Sequence, residues 1–204
     1  MMQIETIGVI GANPVGREIA LAALLGGYRV VLEDVSREML EKGIAHIEQS
    51  LDVRIAQGRL SQQERESAIA RFSSASRADE VCRVADMLIE TVPEEMEVKL
   101  EIFTIFDKFA KPDAILASNT SLSITEIASI TFRTEDCIGM RFVNLGPKIT
   151  RVALVRGADT SDATIAVCSE AARRMGMEVA VIYESPQSSP SDDVAPLRAK
   201  AGIE

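Results

Sequence analysis

Short apolar runs alternate along the chain with longer segments in which apolar residues recur at helical spacing. A short apolar run bounded by turn residues is typical of a strand buried on both faces, whereas helical spacing predicts amphipathic helices that cover a sheet. This alternation predicts an α/β fold with a doubly wound, mostly parallel sheet. The predicted strands cover residues 7–10, 28–33, 87–92, 114–117, 137–143, 152–155 and 178–182.

The segment after the second predicted strand is unusually long for a crossover. Ser36 can cap a helix that ends at Gly58, and Ser61 can cap a second helix that runs to about Phe72, with Glu64 completing a capping box. The pattern therefore predicts a helical hairpin at about 36–72, inserted between strands. It is either a lid or packing element, or a clamp on a substrate.

The remaining helices follow single strands, at 94–110, 124–130 and 161–175. From residue 184 onward the composition shifts to serine, proline and aspartate, which favours a loose tail over a packed element. The pattern predicts one domain over 1–183 and a C-terminal tail over 184–204.

The first predicted strand ends in a glycine turn, followed at once by an alanine-rich amphipathic segment. Strand, turn and helix in this order are typical of a dinucleotide-binding unit, in which the helix N-terminus faces a pyrophosphate. The usual pattern is G-x-G-x-x-G; here Gly11 and Gly16 flank Asn13 in the middle position. Asp34 follows the second strand, where an acid binds the adenosine ribose of NAD and repels the extra phosphate of NADP. A purely structural turn is the weaker alternative.

Four small polar residues follow the predicted strand at 114–117: Ser118, Asn119, Thr120 and Ser121. The carboxyl ends of parallel strands are where doubly wound sheets bind ligands, so this position favours a ligand-facing loop. The alternative is a turn that caps the next short helix.

Composition narrows the function further. The net charge of −9 argues against a nucleic-acid partner, which needs a concentrated basic face. The three cysteines form no C-x-x-C pair, which fits a reducing compartment and predicts no metal site. His46 lies in a polar stretch and is interpreted as a solvated surface residue. No apolar run approaches membrane length, so we expect a cytoplasmic protein without a membrane partner.

Several sequence blocks in the same order resemble the N-terminal NAD-binding domain of the 3-hydroxyacyl-CoA dehydrogenase family, over about residues 4–182. Besides the glycine turn, the blocks are residues 30–36, 57–61, 89–94 and 116–121. The resemblance implies a Rossmann-type fold, NAD as cofactor, and oxidation of (S)-3-hydroxyacyl-CoA to 3-ketoacyl-CoA in fatty-acid metabolism.

The resemblance also implies roles for individual residues. Asp34 would hold the ribose, and Glu94, Lys99 and Asn119 would lie at the cofactor. Ser121 matches a serine near both the nicotinamide and the 3-oxygen of the substrate. Ser50, on the predicted hairpin, matches a serine that touches coenzyme A, so acyl-CoA is the expected ligand.

The catalytic residues of the family are altered in this chain. The family motif His-Phe-Phe-Asn-Pro reads here Arg141-Phe142-Val143-Asn144-Leu145. Arginine cannot replace the histidine base, because its guanidinium does not lose a proton in the working range. The glutamate that orients the histidine is replaced by Ala153. The candidate catalytic residues that remain are Ser121, Asn144 and Arg141, the last as an electrophile or anion holder.

The cofactor and substrate sites are altered as well. Asn13 places a side chain where backbone approaches the pyrophosphate, and its amide oxygen can cap the helix that begins at Pro14. Glu18 adds negative charge near this end, so we expect NAD affinity to be weakened or lost. Gln57 stands where the family has a lysine for coenzyme A.

The helical C-terminal domain of the family has no counterpart in this sequence. Without that domain, a broad apolar surface of the NAD-binding domain would face water. We therefore expect a homo-oligomer or a protein partner that covers this surface. Three hypotheses remain. They are a dehydrogenase completed by another chain, a non-catalytic nucleotide or acyl-CoA binding protein, and an interaction subunit. We favour a family member that lacks normal dehydrogenase activity.

Overall fold

The computed structural model describes residues 3–144 and 149–184. Its strands are β1 (Thr6–Ile10), β2 (Arg29–Glu33), β3 (Phe72–Ala75), β4 (Met87–Glu90), β5 (Ile115–Ser118), β6 (Cys137–Asn144), β7 (Ile149–Arg156) and β8 (Glu178–Tyr183). Its α-helices are α1 (Pro14–Leu25), α2 (Arg37–Ala56), α3 (Gln62–Ile69), α4 (Ala78–Val84), α5 (Met96–Phe109), α6 (Ile124–Ala128) and α7 (Asp162–Arg174). A short 3₁₀ turn precedes β6 at Thr134–Asp136.

The strands form one sheet in the order β3-β2-β1-β4-β5-β6-β7-β8. Neighbouring strands are parallel except for β6 and β7, which run antiparallel. The chain leaves β1 first toward β2 and β3, and later returns to the other side of β1 with β4. This reversal places a topological switch point between β1 and β4, which confirms the predicted doubly wound, mostly parallel sheet.

Helices cover both faces of the sheet and divide the core into two layers. On one face, α1, α2 and α7 pack through residues that include Leu24, Leu51 and Cys168. On the other face, α4, α5 and α6 pack through residues that include Phe103 and Phe106, whose ring centroids lie 5.4 Å apart. Because the sheet is buried on both sides, the carboxyl ends of its strands are where it can bind a ligand.

The helical hairpin is confirmed, but the prediction for its end is wrong. The helices α2 and α3 form the hairpin, with the Ser61–Glu64 capping box in place. Phe72, predicted to end the second helix, instead begins β3, which pairs with β2 at the edge of the sheet. The sequence did not reveal β3, because Ser73 and Ser74 are exposed there and break the apolar run.

Two further expectations need correction. The strand predicted at 152–155 extends over Ile149–Arg156 as β7. His46 was interpreted as a solvated surface residue, but it is half-buried, and its Nε2 lies 2.7 Å from Oε1 of Glu18 across the α1–α2 contact.

The predicted tail lies outside the described residues from position 185 onward. Within the described part, no helix is both long and apolar enough to span a bilayer.

Candidate active site

The glycine turn between β1 and α1 has two positions at which a side chain cannot fit. Gly11 has a φ of 101°, a conformation that favours glycine. A Cβ on Gly16 would lie 1.9 Å from the carbonyl oxygen of Gly11. The backbone N–H of Gly11 also donates to the carbonyl of Glu33 at 2.8 Å, which ties the turn to β2. The turn therefore has the close backbone approach that a dinucleotide-binding turn requires.

Asn13 caps the N-terminus of α1 as the sequence predicts. Its Oδ1 accepts hydrogen bonds from the backbone N–H groups of Val15 and Gly16, each at 3.0 Å. Its Nδ2 donates to the carbonyl of Thr91 at 2.5 Å and so connects the turn to the end of β4. Because these N–H groups already have an acceptor, a pyrophosphate must displace the Asn13 side chain to use them.

Asp34 lies directly beside the glycine turn. Its Oδ2 accepts from the backbone N–H of Ala12, and its Oδ1 from that of Ser36, both at 2.8 Å. A carboxylate offers about four acceptor sites, so these two bonds leave capacity for two ribose hydroxyls. The position and the remaining acceptors of Asp34 fit the ribose role that the sequence predicts.

Glu33, at the end of β2, is a buried acid that sequence reasoning missed. Its side chain is 2% exposed, and Oε1 has no hydrogen-bond partner among the described residues. Burial and the neighbouring Asp34 raise the pKa of Glu33 to about 7. The carboxyl therefore changes charge close to neutral pH, next to the predicted ribose-binding residue.

Replacing Glu33 with glutamine is expected to stabilise the protein at alkaline pH. The pKa of Glu33 is about 7 in the folded protein, compared with 4.5 for an unperturbed side chain. The contribution of Glu33 to the stability of the fold is therefore fully present below about pH 4.5 and is lost as the pH rises through 7. At 1.36 kcal/mol per pKa unit, Glu33→Gln should gain about 3 kcal/mol at pH 8. The gain should shrink to less than about 1 kcal/mol at pH 5, where Glu33 is protonated in the folded protein and only partly ionised in the unfolded chain.

Chemical denaturation at both pH values measures this effect, with Glu48→Gln as an exposed control. An equal gain at pH 5 and pH 8 would contradict the assignment of the ionisation to Glu33.

A second polar group occupies the carboxyl ends of β4 and β5 and centres on Lys99 of α5. Lys99 and Glu90 are both 0% exposed, and Nζ of Lys99 donates to Oε1 of Glu90 at 2.9 Å. Nζ also lies 3.3 Å from Oε2 of Glu94 and donates to the carbonyl of Asn119 at 3.3 Å. Lys99 thus joins a buried carboxylate to a more exposed one.

Glu90 itself is held by several donors. Besides Lys99, the hydroxyl of Ser118 donates to its Oε1, and the backbone N–H of Val92 donates to its Oε2 at 2.9 Å. Burial raises the pKa of Glu90 above its ordinary value, against the opposing effects of Lys99, Ser118 and Val92. These bonds fix the Glu90 carboxyl beneath the polar loop that follows β5.

Glu94 is the accessible member of this group, with a side chain that is 42% exposed. Its Oε1 accepts from the backbone N–H of Ser121 at 2.5 Å, the hydroxyl of Ser121 at 2.7 Å and the hydroxyl of Thr120 at 2.9 Å. Burial raises the pKa of Glu94, but hydrogen bonds from Ser121 and Thr120 and the charge of Lys99 outweigh it and hold the pKa below its ordinary value. Glu94 therefore stands ionised next to the Ser121 hydroxyl.

Arg141 reaches the same loop from β6. Its Nε donates to the carbonyl of Thr120 at 2.7 Å, and its Nη2 to the carbonyl of Ser121 at 3.3 Å. Arg141 and Ala153 are directly opposed in the β6–β7 ladder. The two positions at which the family motif departs are thus cross-strand neighbours, where a histidine and a glutamate side chain could meet.

The structure divides the predicted site residues into two groups. The first group lies at the glycine turn and comprises Gly11, Asn13, Gly16 and Asp34. The second group lies beyond β4 and comprises Glu94, Lys99, Asn119, Ser121 and Arg141. Oδ1 of Asn119 accepts from the N–H of Phe142 at 3.3 Å. Asn144 ends β6, but its side chain lies outside the described part of the structure.

Ser50 lies apart from both groups, half-buried on α2. Its carbonyl accepts from Nη1 of Arg54 at 3.2 Å, and no side-chain bond links it to the other predicted residues among those described. The three cysteines are buried, and within the described residues no cluster could hold a metal ion.

Comparison with known proteins assigns the chain to a family. The model for "3-hydroxyacyl-CoA dehydrogenase, NAD binding domain" matches residues 6–185. The chain belongs to this family. It is 39% identical over 184 residues to the 3-hydroxybutyryl-CoA dehydrogenase of Bradyrhizobium diazoefficiens, covering 90% of this chain and 62% of that protein. A probable 3-hydroxybutyryl-CoA dehydrogenase of Bacillus subtilis is 36% identical, with coverage of 91% and 64%.

Solved structures agree with this membership. The (S)-3-hydroxybutyryl-CoA dehydrogenase of Ralstonia eutropha superposes with a TM-score of 0.84 at 34% identity, covering 90% of this chain and 65% of that one. The chain thus spans less than two thirds of the length of these relatives and matches the NAD-binding part of the family. The predicted family and fold are confirmed.

Proposed function

We propose that this member of the 3-hydroxyacyl-CoA dehydrogenase family binds NAD and an acyl-CoA, and that it lacks the normal dehydrogenase rate. The observation that carries the proposal is the direct pairing of Arg141 with Ala153 across β6 and β7. Arginine remains protonated at working pH, and alanine cannot orient a base. The site therefore has no histidine–glutamate pair to take the proton of a substrate hydroxyl.

The residues at the glycine turn fit an NAD molecule. Gly11 and Gly16 permit close approach, and Asp34 keeps acceptors for ribose hydroxyls. Asn13 reduces the affinity, because its side chain occupies the N–H groups at the helix terminus. Bound NAD would supply a hydride acceptor beside Ser121. We infer weakened binding of NAD at this site.

The substrate class follows from the same family. The relatives named above are 3-hydroxybutyryl-CoA dehydrogenases, which favours a short 3-hydroxyacyl-CoA or 3-ketoacyl-CoA as the ligand here. Ser121, Asn144 and Arg141 remain the candidate residues that face its 3-oxygen, and Ser50 a candidate for coenzyme A. Arg141 holds backbone carbonyls of the Ser121 loop, which supports a positioning role.

A non-catalytic interaction subunit is the second candidate function. The edge strand β8 exposes Val181 and Tyr183, which a second copy or another protein could cover. Under this alternative, a partner would bind while NADH and acyl-CoA would not change the stability of the protein.

Replacing Asn13 with glycine is expected to strengthen NADH binding about tenfold. The change frees the N–H groups of Val15 and Gly16 for phosphate, while a glycine cap costs only about a few tenths of a kcal/mol. Fluorescence titration with NADH measures the dissociation constant.

Two matched variants make this test specific. Asn13→Asp keeps a capping oxygen and adds a negative charge, so it should weaken binding further. Asn13→Ala removes the cap but keeps a Cβ in the approach path, and should gain less than glycine. Equal affinities for all four proteins would contradict a pyrophosphate at this helix terminus.

A further inference from the structure

We infer that Glu94 is the terminal proton acceptor of this site and that Ser121 relays the proton of a substrate hydroxyl to it. The inference rests on the proposed function, because Ser121 must face the substrate oxygen. It goes beyond that function by assigning a residual oxidation chemistry to a chain without the histidine–glutamate pair. Glu94 acts through Ser121 and not by contact with the substrate.

The hydrogen bonds of Ser121 give the direction of the relay. Its hydroxyl donates to Oε1 of Glu94 at 2.7 Å, and the carboxylate only accepts. The oxygen of Ser121 is therefore left with lone pairs, which accept a hydrogen bond from an incoming alcohol. A substrate hydroxyl, Ser121 and Glu94 can thus form a chain in which every donor points toward the carboxylate.

The groups around Glu94 hold it in this geometry. Thr120 and the backbone N–H of Ser121 donate to the same oxygen, Oε1. Lys99 of α5 faces Oε2 at 3.3 Å and is itself held by the buried Glu90 of β4. From β6, Arg141 donates to the backbone carbonyls of both Thr120 and Ser121. The loop and the carboxylate are thus held by groups from two strands, β4 and β6, and from the helix α5.

The proton balance of the step is complete. The carbinol C–H bond breaks and its hydride leaves for a nicotinamide dinucleotide, which is the oxidant. The O–H proton passes to Ser121 while the Ser121 proton passes to Oε1 of Glu94, and the carbinol carbon becomes a ketone. Because Glu94 is partly exposed, it then releases the proton to water.

This path predicts a slow reaction with an unusual pH dependence. A histidine base titrates near 6.5, so a histidine enzyme loses activity below neutral pH. The nearby donors and the Lys99 charge hold the pKa of Glu94 below the ordinary 4.5. Activity through Glu94 should therefore persist down to about pH 5 and fall only below it.

The experiment measures NADH formation from (S)-3-hydroxybutyryl-CoA across this pH range. Glu94→Gln and Ser121→Ala should each lower kcat about 100-fold, because each removes the proton path. Ser121→Thr keeps a hydroxyl and should retain most of the rate. Glu97→Gln, which changes an exposed carboxylate in the first turn of α5, three residues after Glu94, serves as the control and should leave kcat unchanged.

A second readout does not depend on turnover. Titration of the Glu94 carboxyl by ¹³C NMR in the free protein should show a higher pKa in Ser121→Ala than in the wild type, because the hydroxyl bond that lowers it is gone. Ser121→Thr should keep the low value. An unchanged pKa in Ser121→Ala would overturn the inferred hydrogen-bond direction.

The outcomes separate the relay from the proposed function. A wild-type protein that binds NADH and forms none from the alcohol overturns the relay and leaves NAD binding in place. An acid limb near 6.5, or an unchanged kcat in Glu94→Gln, also overturns it. A protein that binds neither NADH nor acetoacetyl-CoA overturns both.

Discussion

Replacement of Lys99 by methionine is expected to lower the free energy of unfolding by about 3–5 kcal/mol at pH 8. Lys99 and Glu90 are both fully buried, and the ammonium is the cation that faces the Glu90 carboxylate. Methionine fills a similar volume but leaves a buried carboxylate without a counter-charge. Urea denaturation of the wild type and the variant measures the change.

The pH dependence of this effect identifies its cause. Without Lys99, the folded pKa of Glu90 rises further, so stability is lost as pH rises through that value. The penalty should therefore shrink at pH 5. The double variant Lys99→Met, Glu90→Gln should recover much of the loss at pH 8, because the buried charge is then absent. A double variant no more stable than Lys99→Met would contradict the ion-pair account.

Restoring the family pair is expected to have the largest effect on turnover. The double variant Arg141→His, Ala153→Glu should raise kcat for (S)-3-hydroxybutyryl-CoA about 100-fold. The two positions are opposed in the antiparallel ladder, so the new glutamate can orient the new histidine. The acid limb of the rate profile should also move to about 6.5, the titration range of a histidine.

The control for this experiment is Arg141→Gln, Ala153→Gln. It removes the same Arg141 bonds to the loop that carries Ser121 but introduces no base. It should be no faster than the wild type. A similar gain in both double variants would contradict the account, because it would show that Arg141 itself, rather than the lack of a base, limits the rate of the wild type.

The glycine turn illustrates what the sequence predicts well. Gly11 and Gly16 are close in sequence, and each meets a strict backbone requirement of the turn. Asn13 could be assigned as a helix cap for the same reason, since Pro14 marks the first helical residue. Such features depend on neighbours in sequence, and the structure shows each of them in place. Asp34 was predictable because it directly follows the next strand, which pairs with β1 and brings it beside the turn.

Features that depend on distant neighbours were not predictable. The strand β3 is a polar edge strand whose pairing with β2 shows only in three dimensions. Glu90 lies in an otherwise apolar strand, and this position by itself indicates a buried acid. Its partners could not be predicted, because Lys99 comes from a helix and Ser118 from another strand. The Glu33 burial and the Glu94–Ser121 bond likewise depend on tertiary packing.

The most direct test of NAD binding by this chain is thermal unfolding of the wild type with and without millimolar NADH. For a dissociation constant of about 0.1 mM, linkage predicts a stabilisation of about 1.4 kcal/mol, equivalent to about 3–6 °C in Tm. The account predicts such a rise, with a further rise on adding acetoacetyl-CoA. An unchanged Tm with NADH, NAD⁺ and acetoacetyl-CoA would contradict it and favour the interaction-subunit alternative.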